Sequence, residues 1–203
     1  MTLNWRLWYD GVVAEWEFEP EVRSVGIDSL AAILENILSK LERSELIISS
    51  SMVLTLDEMI YYGSASKFDA EFFKSIVSDR GVYIEIFSDG VLHKLEKEEV
   101  VKEVHQRVIN ISIMYERGGA HTLTVSTNSY AWLPFDLLGL PQPHYYSVNA
   151  VRLCDTLAYI ESIGMSLRQK NIVDKPYCRQ SGYFLMNYFD VREHNGIESF
   201  ILV

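Results

Sequence analysis

The sequence is poor in cysteine, and it lacks both a secretory signal and a long hydrophobic run. Its two cysteines, Cys154 and Cys178, form no C-x-x-C pair and have no histidine cluster beside them. We interpret them as reduced, packed thiols, which form one disulfide only if folding brings the two together. The first residues lack a basic lead followed by an apolar stretch, and no apolar run is long enough to span a bilayer. These absences predict a cytoplasmic protein that does not enter a membrane.

The short motifs of common active sites are missing as well. Neither G-x-x-x-x-G-K-[ST] nor G-x-G-x-x-G occurs, so no phosphate-binding loop is predicted. The five histidines are never three or four residues apart, and there is no H-E-x-x-H pattern. No G-x-S-x-G marks a nucleophilic serine. We therefore predict no catalytic residue, metal ligand or cofactor from any motif.

Positive charge is scarce relative to negative charge. The chain has 28 acidic and 18 basic residues, which gives a formal net charge of −10. A negative field repels nucleic acid and anionic lipid, and it speeds association with a basic protein. The second interpretation of the charge is that it only keeps the protein soluble.

The 203 residues, of which 48% are hydrophobic, suit a single α+β domain over 1–203, with one weak candidate boundary near 129. Strands separated by turn signals rather than by regular crossovers predict a mainly antiparallel sheet built from hairpins. The predicted turns are Asp10-Gly11, Asp89-Gly90 and Gly118-Gly119. About four packed helices are expected, over residues 30–41, 66–77, 96–107 and 147–163. The strands are predicted at 3–9, 12–19, 46–56, 82–87, 91–95, 108–115, 121–127, 183–189 and 197–203, with an irregular polar stretch before 183.

Two surface features stand out as candidate binding sites. Glu15, Glu17 and Glu19 repeat at every second position of a predicted strand, so their carboxylates form one row, with Asp10 at its end. We call these three glutamates the acidic row. It is either a charged edge strand that blocks sheet-to-sheet aggregation or a docking site for a cationic partner. Trp132, in an aromatic and proline-containing segment, is either core or an interface residue.

In size, acidity and the absence of catalytic motifs, the chain resembles the immunity proteins that neutralise bacterial toxins, many of which are basic nucleases. The resemblance implies a protein-binding inhibitor that occludes a basic toxin. On this hypothesis Asp10, Glu15, Glu17, Glu19 and Trp132 contact the partner. The alternative is an enzyme or small-ligand domain with a site assembled from distant residues, for which Asp155 and His144 are the starting candidates. The sequence determines neither the partner nor the oligomeric state.

Overall fold

A computed structural model describes most of the chain. The described residues are 14–21, 26–56, 59–61, 68–77, 82–115, 121–133, 136, 140–172, 179–181 and 184–187. The predicted turns at Asp10-Gly11 and Gly118-Gly119, the predicted strand at 197–203 and Cys178 lie outside these residues.

Seven strands form one antiparallel sheet. They are β1 (Ala14–Pro20), β2 (Val53–Leu56), β3 (Met59–Tyr61), β4 (Val82–Glu96), β5 (Glu99–Tyr115), β6 (His121–Thr127) and β7 (Met165–Ile172). Their order across the sheet is β3-β2-β4-β5-β6-β1-β7, and each pair of neighbours runs antiparallel. Two short strands, β8 (Arg179–Ser181) and β9 (Phe184–Asn187), pair separately. The predicted mainly antiparallel α+β class is confirmed.

Three α-helices occur among the described residues, which are α1 (Ile27–Arg43), α2 (Ala70–Ile76) and α3 (Pro143–Ser162). Asp69 caps α2, since its side chain accepts the backbone N–H groups of Glu71 and Phe72, each at 3.0 Å. Gly164 follows the end of α3 with a φ of 88°, in the left-handed region where a glycine commonly ends a helix. In the part of the chain that is described, no helix has both the length and the apolar composition needed to cross a bilayer.

One hydrophobic core lies between the helices and a single face of the sheet. Strand register aligns Trp16 with Val125 of β6 and then with Ile111 of β5, and all three side chains are buried. Leu34 of α1 and Leu157 of α3 belong to the same buried cluster. The opposite face of the sheet therefore carries the alternate residues of each strand, which include the acidic row.

The predicted helix over 96–107 is wrong, and this is why three helices are found where about four were expected. Lys97 and Glu98 form a two-residue turn, and β5 begins at Glu99. Val100 and Val104, which a helix over 96–107 would have turned toward the core, are 50% and 47% exposed. Valine spacing fitted a helical face, but β-branched side chains favour extended backbone, and pairing with β4 decides the outcome.

Two further predictions of local structure are corrected. Asp89-Gly90 is not a hairpin turn, because β4 runs through it with only a shift of register between Ser88 and Gly90. The stretch after Gly164, expected to be irregular and polar, forms β7 and pairs with β1 along its length. Its polar residues gave no signal of a buried strand.

Candidate protein-binding face

The acidic row lies on the sheet face turned away from the helices. Along β1 the buried side chains of Ala14, Trp16 and Phe18 alternate with the half-buried side chains of Glu15 and Glu17. Glu19 continues the series at the end of the strand. The prediction that the three glutamates share a face opposite the apolar residues is confirmed by this alternation.

Polar residues of the neighbouring strands extend this face. Strand register places Glu17 beside Thr124 of β6, which is followed by Ser112 of β5 and by Glu85 of β4. A parallel row starts at Glu15 and continues through Ser126 and Asn110. We call this surface the polar sheet face, defined by Glu15, Glu17, Glu19, Thr124, Ser126, Asn110, Ser112 and Glu85.

The acidic row is not on an edge strand. β1 pairs with β6 on one side, from Ala14 to Phe18, and with β7 on the other side, from Ala14 to Pro20. The explanation of the three glutamates as protection of a free edge is therefore wrong, because β1 lies between two strands at Glu15 and Glu17 and is still paired with β7 at Glu19. The error follows from the missed strand β7.

Arg168 of β7 is the counter-charge of two carboxylates of the acidic row. Its Nη1 lies 2.5 Å from Glu19 Oε1 and 3.4 Å from Glu17 Oε1. The side chain of Arg168 is 57% exposed, so these pairs contribute at most about 1 kcal/mol to stability. A cationic partner can therefore displace Arg168 from the carboxylates at little cost in fold stability.

Asn110 supplies an unsatisfied acceptor at the middle of the polar sheet face. Its Nδ2 donates to Glu85 Oε1 at 2.7 Å, whereas its Oδ1 is buried and has no hydrogen-bond partner among the residues described. A buried unpaired acceptor costs stability, and its burial also keeps this oxygen out of reach of a partner protein. Sequence analysis missed Asn110, Glu85 and Arg168 as members of this face, because strand alternation gives a face but not the neighbours across the sheet.

The two other predicted contact residues do not join this face. Trp132 is 1% exposed, and its Nε1 donates to Thr127 Oγ1 at 2.7 Å inside the core. Its buried ring offers no surface to a partner, so the core interpretation of Trp132 is the one that fits. Asp10 lies outside the described residues.

The residues of the alternative, enzymatic hypothesis do not converge. His144 and Asp155 are both exposed on α3 and are separated along the helix axis by about 16 Å. In the described ranges no group of three or more His, Cys, Asp or Glu side chains could hold a metal ion. Cys154 is half-buried, and burial raises the pKa of its thiol, which disfavours the reactive thiolate.

Polar groups do meet where α3 contacts β5. Tyr145 donates its hydroxyl to Glu103 Oε2 at 2.9 Å, and His105 Nε2 lies 3.4 Å from the same oxygen. Tyr145 is 3% exposed and His105 is 9% exposed. These groups are in contact with one another rather than with solvent, and their contacts connect α3 to the sheet.

A shallow depression lies between the end of α1 and β4. Its volume is about 360 Å³, and Glu45, Ser49 and Val91 are among the residues that line it. The Glu45 carboxylate already contacts His93 at 2.9 Å and Lys102 at 2.7 Å. The depression is open, and the Glu45 carboxylate on its wall is already paired. A small-molecule site instead needs a deep cleft with convergent polar groups.

Comparison with protein-family models, with curated proteins and with solved structures finds no match to this chain.

Proposed function

We propose that this protein is a protein-binding inhibitor, of the kind represented by immunity proteins, and that its polar sheet face occludes a basic toxin. The observation that carries the proposal is the placement of Glu15, Glu17 and Glu19 on one side of the sheet, on the face that does not form the core. In the ion pairs described on this face, the exposed Arg168 is the counter-charge of Glu17 and Glu19.

The electrostatics of the chain support this assignment. Three carboxylates at alternate positions of a strand are about 7 Å apart along it, which matches the spacing at which an extended cationic segment presents its own side chains. A formal charge of −10 adds long-range attraction to a basic protein. The partner's lysines or arginines then take the place of Arg168, which compensates the carboxylates as they lose water.

The test is the triple variant Glu15→Lys, Glu17→Lys and Glu19→Lys, measured against the protein that co-purifies with this chain from the native cell. Each substitution changes the charge by two units, so the formal charge goes from −10 to −4. We expect association to slow by roughly tenfold to a thousandfold at low salt and to lose most of its salt dependence. Binding kinetics by biolayer interferometry at several salt concentrations measure both effects.

The matched control makes the same change of charge on the helices. Glu35, Asp155 and Glu161 are exposed on α1 and α3, so Glu35→Lys, Asp155→Lys and Glu161→Lys also give −4. If the polar sheet face is the contact, the control slows association less than the acidic-row variant does. Equal slowing by the two triple variants shows that only net charge matters and rejects the proposed face. An unchanged rate and salt slope in the acidic-row variant rejects it as well.

A further inference from the structure

The far half of the β4–β5 hairpin, residues 91–104, has one covered edge. On the β4 side, the Val91 N–H donates to the Glu45 carbonyl at 2.9 Å, and the Val91 carbonyl accepts Arg152 Nη1 at 3.0 Å. The Asn149 side chain accepts the N–H of His93 at 2.9 Å and donates to its carbonyl at 2.6 Å. The backbone groups of Val91 and His93 on this edge are therefore satisfied without a further strand. We call residues 91–104 the distal hairpin.

The β5 edge of the distal hairpin has no such cover. β6 pairs with β5 only from Ile109 onward. Val104 faces Val91 across the hairpin, and Lys102 faces His93. In an antiparallel pair, the N–H and carbonyl groups of two opposed residues point either toward each other or both away from the pair. Those of Val91 and His93 point away from β5. The N–H and carbonyl groups of Val104 and Lys102, and by the same alternation those of Val100, thus point away from β4. No hydrogen bond to them is formed by any residue in the described part of the chain.

Apolar side chains border this open edge. Leu95, Val100, Val101 and Val104 are 38%, 50%, 38% and 47% exposed. They make up four of the nine large exposed hydrophobic side chains among the described residues. An edge strand with exposed β-branched side chains is a template for pairing with another strand.

We propose that the β5 edge of the distal hairpin is a dimerisation surface, on which a second copy of this chain adds its own β5 antiparallel with Lys102 at the two-fold axis. Antiparallel pairing requires outward-pointing residues to face outward-pointing residues. With the axis at Lys102, Val100 faces Val104 of the second copy, and all three outward-pointing positions are used. Moving the axis by one residue places Glu99 opposite Glu103 in one direction and Glu103 opposite itself in the other. The favoured register also opposes one pair of like charges, Lys102 with its copy, but there each ammonium group is paired with a Glu45 carboxylate.

The favoured register is complementary in its side chains as well. Leu95 and Val100 of one copy continue into Val104 and Val91 of the other, which makes an apolar row across four strands. Lys102 meets its own copy at the axis, where each ammonium group is already 2.7 Å from a Glu45 carboxylate. The contact is a single short strand pair, so we expect a weak dimer that dissociates on dilution through the micromolar range.

Disulfide cross-linking tests the register directly. In a chain with Cys154→Ala and Cys178→Ser, the single variant Lys102→Cys places the two thiols in a directly opposed pair with Cα atoms about 5.5 Å apart. The double variant Val100→Cys with Val104→Cys does the same and keeps Lys102. Either single variant, Val100→Cys or Val104→Cys, leaves the thiols about 13 Å apart and serves as the control. We expect Lys102→Cys and the double variant to form covalent dimer roughly tenfold faster than the controls, because a disulfide needs Cα atoms within about 7 Å.

Sedimentation of the unmodified chain and of Val104→Pro provides the second measurement. Proline removes an N–H that points away from β4, so it blocks the open edge and spares the hairpin pairing. We expect a concentration-dependent dimer for the unmodified chain and a monomer for Val104→Pro, with Val104→Lys as a second blocking variant should the proline variant fail to fold. A monomer at every concentration, a dimer that survives both blocking variants, or equal cross-linking in all cysteine variants overturns the proposal. None of these measurements needs the toxin, so the polar sheet face is tested independently.

Discussion

Arg152 donates from Nε and from Nη2 to one backbone carbonyl oxygen, that of Ser44, at 3.1 and 2.6 Å. Its Nη1 donates to the Val91 carbonyl at 3.0 Å and to Asn149 Oδ1 at 2.8 Å. Burial lowers the pKa of Arg152 to about 10, so the guanidinium is still charged at neutral pH. One side chain of α3 therefore fixes the residue that follows α1 and the covered edge of β4.

Replacing Arg152 by methionine should lower the free energy of unfolding by about 3 kcal/mol, because partly buried carbonyl acceptors lose charge-assisted bonds. Lysine at this position should recover only part of the loss, since a single ammonium cannot reproduce the forked geometry. Urea denaturation measures both variants. Arg43→Met is the control, because Arg43 is exposed and makes one bond, to Ser39. If Arg152→Met loses no more free energy of unfolding than Arg43→Met does, the hydrogen bonds of Arg152 do not stabilise the fold as argued.

Gly90 is required by a close approach of two backbone segments. A Cβ at this position would lie 2.3 Å from the Leu46 carbonyl oxygen and 3.1 Å from Val108 Cβ. Gly90→Ala should therefore cost about 2 kcal/mol or more, because the segment after α1 must move away from β4. Gly26→Ala, where nothing lies within 4 Å of the added carbon, is the control and should cost about 0.5–1 kcal/mol, because Gly26 is the N-cap of α1 and alanine is the poorer cap. Chemical denaturation measures the free energy of unfolding of both variants. Equal losses of this free energy in Gly90→Ala and Gly26→Ala would contradict the close approach of Gly90 to Leu46 as the cause.

The turn of the distal hairpin stores conformational strain. Lys97 and Glu98 have φ values of 47° and 72°, and both lie in the left-handed region. Two-residue hairpin turns of this type favour Asn-Gly. Changing Lys97→Asn and Glu98→Gly together should raise the free energy of unfolding by up to about 1 kcal/mol. Thermal and urea unfolding measure the gain, and a lower stability of the double variant contradicts the assignment of the strain.

The local alternation of apolar and polar residues predicted much of the sheet correctly. The inward position of Trp16, the outward position of Glu17 and the strand over His121–Thr127 all follow from a period of two. This pattern depends on one strand and one buried face, both of which are local in the sequence. The antiparallel α+β class could therefore be predicted from the residues alone.

Features decided by distant partners could not be predicted in this way. Val100, Val101 and Val104 have the spacing of a helical face, and only their pairing with β4 makes them a strand. Gly90 gives a turn signal, although its actual requirement is contact with Leu46, which is distant in the sequence. The same limit applies to the polar sheet face, since Arg168 reaches the acidic row through β7.

His93 should make the stability of the protein depend on pH. Burial lowers the pKa of His93 below its ordinary value of 6.5, and this effect outweighs the Glu45 contact, which raises it. Nearby Arg152 and Lys102 also oppose protonation. The unfolded chain therefore binds this proton more readily than the folded protein does. The stability contributed by neutral His93 is complete above pH 6.5 and is lost as the pH falls through the lowered pKa.

The variant His93→Gln separates this effect from the titration of carboxylates. Between pH 6.5 and about 5, the wild-type protein should lose stability that His93→Gln does not lose, because glutamine takes up no proton. The pKa of Glu45 is lowered from 4.5 by its contacts with Lys102 and His93, so the stability from this carboxylate is lost only at more acid pH. Thermal unfolding across this range measures the difference, with His144→Gln as a control at an exposed histidine. If wild type and His93→Gln lose stability in parallel down to about pH 5, the protonation of His93 does not cause the loss of stability.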